Sequence, residues 1–234
     1  MELAGKKVVI FGGTSGIGLA AAKQIVAEGA SVIAISRDPS KAGTLPAGIT
    51  TEACDTTDGP AVEALLAKLA PYDVLISAAT GGDRAVGPFM TMDIEGFKGS
   101  FAKMWGYANV VRYGTQHLPE EGRIVLVSGA PPRNMRPGQI AIASVGGAVE
   151  AFARGIAKEI APRRINVVAP GTIDTPMVAM EGDARTTFYN NATKGNLIAR
   201  AGKPEEVAEG IVFAVKNDFI TGTTVDVDGG WLLT

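Results

Sequence analysis

The sequence predicts one doubly wound α/β domain, a parallel sheet covered by helices on both faces. Three observations carry this. Short β-branched apolar runs alternate with longer helical stretches along all 234 residues, the chain pattern of a sheet buried on two sides. The glycine-rich and polar loops leave the C-terminal ends of the expected strands, where such sheets hold their ligands. No repeat, low-complexity stretch or linker interrupts the alternation, so a single domain is expected over 1–234.

The first strand, VVIF at 8–11, runs into the turn GGTSGIG and then an Ala-rich helix that ends near Ala30. Gly12, Gly16 and Gly18 stand in a G-x-x-x-G-x-G spacing. Glycine permits positive φ and lets backbone N–H groups close on a ligand without a Cβ in the way. The following helix aims its unpaired N–H groups and partial positive charge at whatever sits over the loop. A ligand-free turn can share this spacing; the strand before and the helix after favour a pyrophosphate.

SVIAIS (Ser31–Ser36) is a second β-branched strand, ended by Arg37, Asp38 and Pro39. A third strand is expected over 49–54, then a helix over Gly59–Leu69. The fourth strand, DVLISAAT at 73–80, leads into the polar loop GGDRAVG, and one long helix is expected over 94–117. RIVLVS (123–128) is the fifth strand, followed by the loop APPRNMRPG and a helix over 139–161. INVVAP (165–170) is the sixth; an irregular segment over 172–202 separates it from a helix at Pro204–Lys216 and a last strand in TTVDVDG.

A net charge of -2 gives no electrostatic case for nucleic acid or an anionic membrane. The single cysteine, Cys54, excludes an internal disulfide, fits a reducing compartment, and reads as a small apolar strand residue. No apolar run is expected to cross a bilayer, and a strand starting at Val8 leaves no room for a secretory leader. The expectation is a soluble cytoplasmic protein, with no metal site.

With GGTSGIG, CDTTD, VVAPGTIDTPM, GKPEEVAEGIVF and ITGTTVDVDGGW in that order, the chain resembles the short-chain dehydrogenase/reductase family over nearly its whole length. The resemblance implies a Rossmann-type fold, a nicotinamide dinucleotide, a small-molecule carbonyl or alcohol substrate, and a homo-oligomer, dimer or tetramer, built on the fourth and fifth helices and the C-terminal segment. By the same resemblance, Gly12, Thr14, Ser15, Gly16, Ile17 and Gly18 would hold the pyrophosphate and adenine ribose, although Phe11 stands where the family often has Thr. Asp55, with Thr56 beside it, matches the acceptor of the adenine amino group, and Pro170, Gly171, Ile173 and Thr175 match the segment that orients the nicotinamide amide. The family's Asn-Ala-Gly after the fourth strand reads Ala78-Ala79-Thr80, small enough to pass the cofactor but without the side-chain amide.

Cofactor choice turns on the end of the second strand, where an acidic residue would bind a ribose 2′-hydroxyl and an Arg a 2′-phosphate. Ser36 and Arg37 stand there, which favours NADP(H) over NAD(H). The alternative is a solvated Arg37 paired with Asp38.

The family's catalytic positions are substituted. Its Tyr falls on Ile142, the Lys four residues later on Gly146, and the Ser thirteen residues earlier on Gly129, next to Ser128; a catalytic Asn falls on Lys103. No Tyr occurs between Tyr113 and Tyr189 to rescue the motif. Loss of a general acid lowers a rate by about 10²–10⁴. Lys103 is the first candidate replacement, since burial would bring its pKa toward neutrality; snorkelling to solvent or pairing with Asp93 or Glu95 is the rival reading. Tyr107, one helical turn on, is expected to pack against a partner subunit. Ser128 could supply a hydroxyl but, at a strand end, suits local backbone better. Arg133 and Arg136 could bind an anionic substrate or lie solvated, and His117 is expected to cap helix carbonyls.

The small-residue face around Gly146-Gly147 fits either a close subunit interface or extra room beside the nicotinamide. The segment over 178–202, with Met180, Phe188, Tyr189 and Asn190, is expected to be a substrate lid. Three readings stay open: an NADP(H)-dependent oxidoreductase with an unusual proton donor, a non-catalytic dinucleotide-binding or regulatory subunit (perhaps paired with a homologous active one), and a non-redox lyase or isomerase in the same cavity.

Overall fold

The computed structural model describes residues 1–80 and 84–234. Its strands are β1 (Lys7–Phe11), β2 (Ser31–Ser36), β3 (Ile49–Ala53), β4 (Val74–Ser77), β5 (Arg123–Val127), β6 (Arg164–Pro170) and β7 (Thr224–Val227). The helices are α1 (Gly16–Ala27), α2 (Gly59–Leu69), α3 (Ile94–Ser100), α4 (Ala102–Gly114), α5 (Ile140–Glu159), α6 (Gly182–Thr193) and α7 (Pro204–Lys216). All the pairings are parallel, in the order β3-β2-β1-β4-β5-β6-β7. The direction of winding reverses between β1 and β4, and a crevice opens at their C-terminal ends.

Side chains alternate across the sheet, and β1 shows what this achieves. Val8 and Ile10 enter one core with α1 and α7 residues such as Ala21, Ile25 and Ile211. Val9 and Phe11 enter the other, with Leu66 of α2, Val110 of α4 and Val149 of α5. Each such fully buried aliphatic side chain contributes roughly 1.5–3 kcal/mol. This two-sided burial is why the strands read as continuous apolar runs rather than alternating ones.

Five expectations are corrected. The helix over 94–117 is two helices meeting at Phe101. At the junction the Ser100 hydroxyl donates to the Gly96 carbonyl (2.9 Å) and accepts from the Ala85 amide (2.9 Å), a bond that competes with the helical ladder. His117 does not cap a helix: its Nε2 is buried without a partner and its ring stands edge-on to Tyr72, while Thr115 Oγ1 satisfies the Val111 carbonyl at 2.6 Å. The segment expected to be irregular contains α6. Finally, α5 is by length and composition apolar enough to cross a membrane, with mean hydropathy 1.4. Here it is a core helix packed against β6 and α4. Strand β4 also ends earlier than expected, because the Ala78 amide turns to the Phe11 carbonyl (2.8 Å). Gly81, Gly82 and Asp83 of the loop GGDRAVG lie outside the described residues.

Candidate active site

A cleft of about 600 Å³ lies at the C-terminal ends of β1, β4, β5 and β6. Its floor is the glycine turn. At Gly18 an added Cβ would lie 2.0 Å from the Gly12 carbonyl oxygen, and at Gly12, where φ is 77°, it would lie 2.7 Å from the Ala79 amide nitrogen. Only glycine lets the turn lie this flat against the exit of β4. Ser15 makes no capping bond and the first turn of α1 carries no acidic residue. With Ser15, Gly16 and Ile17 on the cleft wall, the positive end of α1 faces into it.

The other expected cofactor residues fall into two groups. Gly12, Gly18, Ala78, Ala79, Thr80, Pro170, Gly171, Ile173 and Thr175 line the same cleft. Thr14, Ser36, Arg37, Asp55 and Thr56 do not. Asp55 spends one oxygen on Thr57, accepting from its amide (2.9 Å) and hydroxyl (2.8 Å), which holds its carboxyl below the usual range. Thr56 is buried under Gly106 and its carbonyl accepts from Asn109 (2.9 Å). The Arg37–Asp38 pair of the alternative reading does not form: Asp38 accepts from Ser40 and pairs with Lys41 at 3.3 Å. Arg37 stays exposed at the end of β2, beside a Ser36 hydroxyl that is buried without a partner. A flush glycine cradle, a free helix N-terminus, an orphaned hydroxyl and an exposed guanidinium together fit a phosphorylated dinucleotide.

At the other end of the cleft, Lys103 is buried, 9% exposed, and its Nζ donates to the Ser128 carbonyl at 3.3 Å. Burial, and then repulsion from Arg84, pulls its pKa down to about 7. It neither snorkels nor pairs as the rival reading held. Asp93 caps α3 through the Glu95 and Gly96 amides, and Glu95 pairs with Lys98 at 2.6 Å. Tyr107 is buried inside its own chain, donating to the Val127 carbonyl at 2.8 Å, so it needs no partner subunit to cover it; burial pushes its pKa far up. Ser128 satisfies local backbone, its hydroxyl donating to the Gly146 carbonyl at 3.2 Å.

Ile142 and Gly146 present α5 to the cleft, with Gly129 opposite. An added Cβ at Gly129 would find nothing nearer than 3.5 Å, whereas at Gly146 it would lie 2.5 Å from Pro132 Cγ and 3.2 Å from Ser128 Oγ. The glycine therefore accommodates the overhanging loop, whose Pro132 fills the space beside it. That loop is pinned by both arginines. Arg133 binds Glu150 and Asp226; Arg136 lies 3.9 Å over the Trp231 ring and donates to the Ala192 carbonyl and Asn196. Neither arginine lines the cleft, and neither is simply solvated.

The sheet order, the glycine cradle and this cleft have counterparts in known proteins. A family profile described as Enoyl-(Acyl carrier protein) reductase matches residues 12–232. The short-chain dehydrogenase/reductase malC of Malbranchea aurantiaca is 32% identical over 99% of this chain and 96% of its own. The chain belongs to the short-chain dehydrogenase/reductase family. The cyclic-di-GMP-binding biofilm dispersal mediator protein of Escherichia coli K12 is 30% identical over 97% of both chains. The crystal structure of a small-chain dehydrogenase in complex with NADPH superposes with a TM-score of 0.84 at 28% identity, over 98% of this chain and 100% of that one.

Three cleft residues of this short-chain dehydrogenase/reductase had no role assigned from the sequence: Arg84, Gln139 and Trp231. Arg84, leaving β4, and Gln139, opening α5, line the cleft, and Gln139 Oε1 is buried without a partner. Trp231 closes one end from the C-terminus. Tyr189 accepts from the Thr175 amide (3.3 Å) and donates to the Ile173 carbonyl (3.3 Å), while Arg185, one turn before it, holds Asp174, the Thr175 carbonyl and the Val178 carbonyl. The Arg185–Tyr189 spacing of four was a legible helical signal. So was Arg84, a cation in a loop at the ligand end of the sheet.

Proposed function

We propose that the chain is an NADP(H)-dependent oxidoreductase for a carbonyl/alcohol pair, with Lys103 as the proton donor. The observation that carries this is Lys103 itself: a buried ammonium with a pKa near 7, in the cleft whose floor is the glycine turn. A general acid works best when its pKa lies near the operating pH. The bound dinucleotide would supply the hydride. Gly12, Gly16, Gly18 and the start of α1 would hold its pyrophosphate, Ser36 and Arg37 its 2′-phosphate, and Pro170–Thr175 its nicotinamide end.

Lys103 holds the proton that a reduced carbonyl oxygen takes up. The Ser128 carbonyl fixes the direction of its Nζ, and the side chain is buried. Ile142 supplies no hydroxyl, and Gly146 no amine, so in this reading the family's own proton relay is absent and Lys103 replaces it. The NADPH complex of the structural relative supports the choice of cofactor. The test is isothermal titration of NADPH and NADH into wild-type protein and Arg37→Ala. Preference for NADPH, lost in the variant, is the expected result; equal affinity for both nucleotides would overturn the assignment.

A second reading, a dinucleotide-binding module without turnover, is favoured by the replacement of all the family's catalytic side chains and by a relative described as a cyclic-di-GMP-binding mediator. It predicts nucleotide affinity without oxidation of NADPH across a panel of carbonyl compounds.

A further inference from the structure

Two cations, Arg84 and Lys103, share the cleft wall, and no carboxylate stands among the described residues that line it. Arg84 is close enough that its charge, after burial, helps to lower the Lys103 pKa. Like charges confined in one partly desolvated cavity are unfavourable unless an anion joins them. We propose that Arg84 anchors an anionic group of the substrate, which makes the substrate class an oxo or hydroxy carboxylic acid. This rests on the oxidoreductase reading for the reacting carbon, but the anion site itself does not need it.

The anion is not one of the dinucleotide's phosphates. The glycine turn and α1 take the pyrophosphate at the end of β1, and Arg37 lies beyond it at the end of β2. Arg84 instead belongs with Lys103 and the end of β5, beside the proton donor. A carboxylate fits better than a phosphate. The planar guanidinium fork matches two coplanar oxygens, and few other donors are free there, because the Ser100 hydroxyl is spent between Gly96 and Ala85. The surroundings are apolar, with Ile142, Val145 and Phe188 on the walls, and suit the carbon skeleton of such an acid. A carboxylate between the two cations would also offset the repulsion and keep Lys103 protonated.

The experiment is calorimetric titration of benzoate, its neutral isostere benzamide and inorganic phosphate into the protein, with and without saturating NADPH. The variants are Arg84→Gln and Arg84→Lys. Benzoate should bind the wild type at least about tenfold more tightly than benzamide, the advantage expected for a charge-assisted hydrogen bond. Arg84→Gln should abolish that preference and Arg84→Lys restore part of it. In parallel, ¹³C-ε lysine NMR should show benzoate raising the Lys103 pKa in the wild type and not in Arg84→Gln. Equal affinity for benzoate and benzamide, or a preference that survives Arg84→Gln, would overturn the site, and tighter binding of phosphate than benzoate would overturn the carboxylate. If benzoate is preferred but NADPH does not bind, the anion site stands and the oxidoreductase reading falls.

Discussion

Replacing Lys103 by Met separates a proton donor from a structural lysine, because the two roles leave opposite marks on stability. In the folded chain the ammonium is desolvated, and its pKa falls from an ordinary 10.5 to about 7. At about 1.36 kcal/mol per unit, holding that charge costs on the order of 5 kcal/mol below pH 7. Between pH 7 and 10.5 the unfolded chain binds a proton that the folded chain lacks, so wild-type stability rises with pH across that window. Above it both states are neutral and the penalty is gone. Methionine never carries the penalty, but it leaves the Ser128 carbonyl without its donor, which costs about 1–3 kcal/mol at any pH. Lys103→Met should therefore be more stable than wild type at pH 6 and less stable at pH 10.5. Urea unfolding at several pH values reads the crossing directly. The same variant should lose about 10²–10⁴ in kcat for carbonyl reduction with NADPH binding intact. In the wild type, kcat for reduction should fall as pH rises through about 7, as the donor loses its proton. A stability difference that does not change with pH, or full activity in the variant, refutes the reasoning.

Two further substitutions test the packing. Gly146→Lys, which places a lysine where the family resemblance implies one, should not restore activity even beside Ile142→Tyr. Its Cβ would press on Pro132 at 2.5 Å and displace the overhanging loop, an overpacking of about 1–3 kcal/mol visible as a lowered Tm. Adding Pro132→Gly should recover the lost stability, and failure to do so would show that the loop is not the obstacle. Gly18→Ala places a methyl 2.0 Å from the Gly12 carbonyl and should weaken NADPH binding at least about tenfold while also lowering Tm; unchanged affinity would show that the turn does not need its close approach.

The fold was legible because alternation of apolar strands and helices is a physical requirement of a two-faced sheet, and every strand was found within a few residues. The glycine cradle was legible for the same local reason: Gly12, Gly16 and Gly18 are needed where backbone meets backbone. What the chain order concealed was side-chain company. The two arginines of the overhanging loop read as either ligand groups or solvated side chains, but Glu150, Asp226 and Trp231, distant in sequence, claim them. Arg84, set in a glycine-rich run, gave no sign that it would line the same cleft as Lys103. The break at Phe101 depended on one serine hydroxyl choosing the Gly96 carbonyl, and α6, with mostly polar residues, had too weak an apolar stripe to announce itself.

Arg185 and Tyr189 fasten α6 to residues 173–178, the stretch expected to meet the nicotinamide end of the dinucleotide. The cover of the cleft and part of its wall are thereby one mechanical piece, and whatever settles the wall also sets the cover. The consequence is kinetic. On the proposed reading, a nucleotide that settles the wall would enter first and leave last, because its arrival would also set the cover over the second reactant. Product-inhibition patterns should then be those of a compulsory-order mechanism, and cutting the tie with Arg185→Ala should turn them toward random addition.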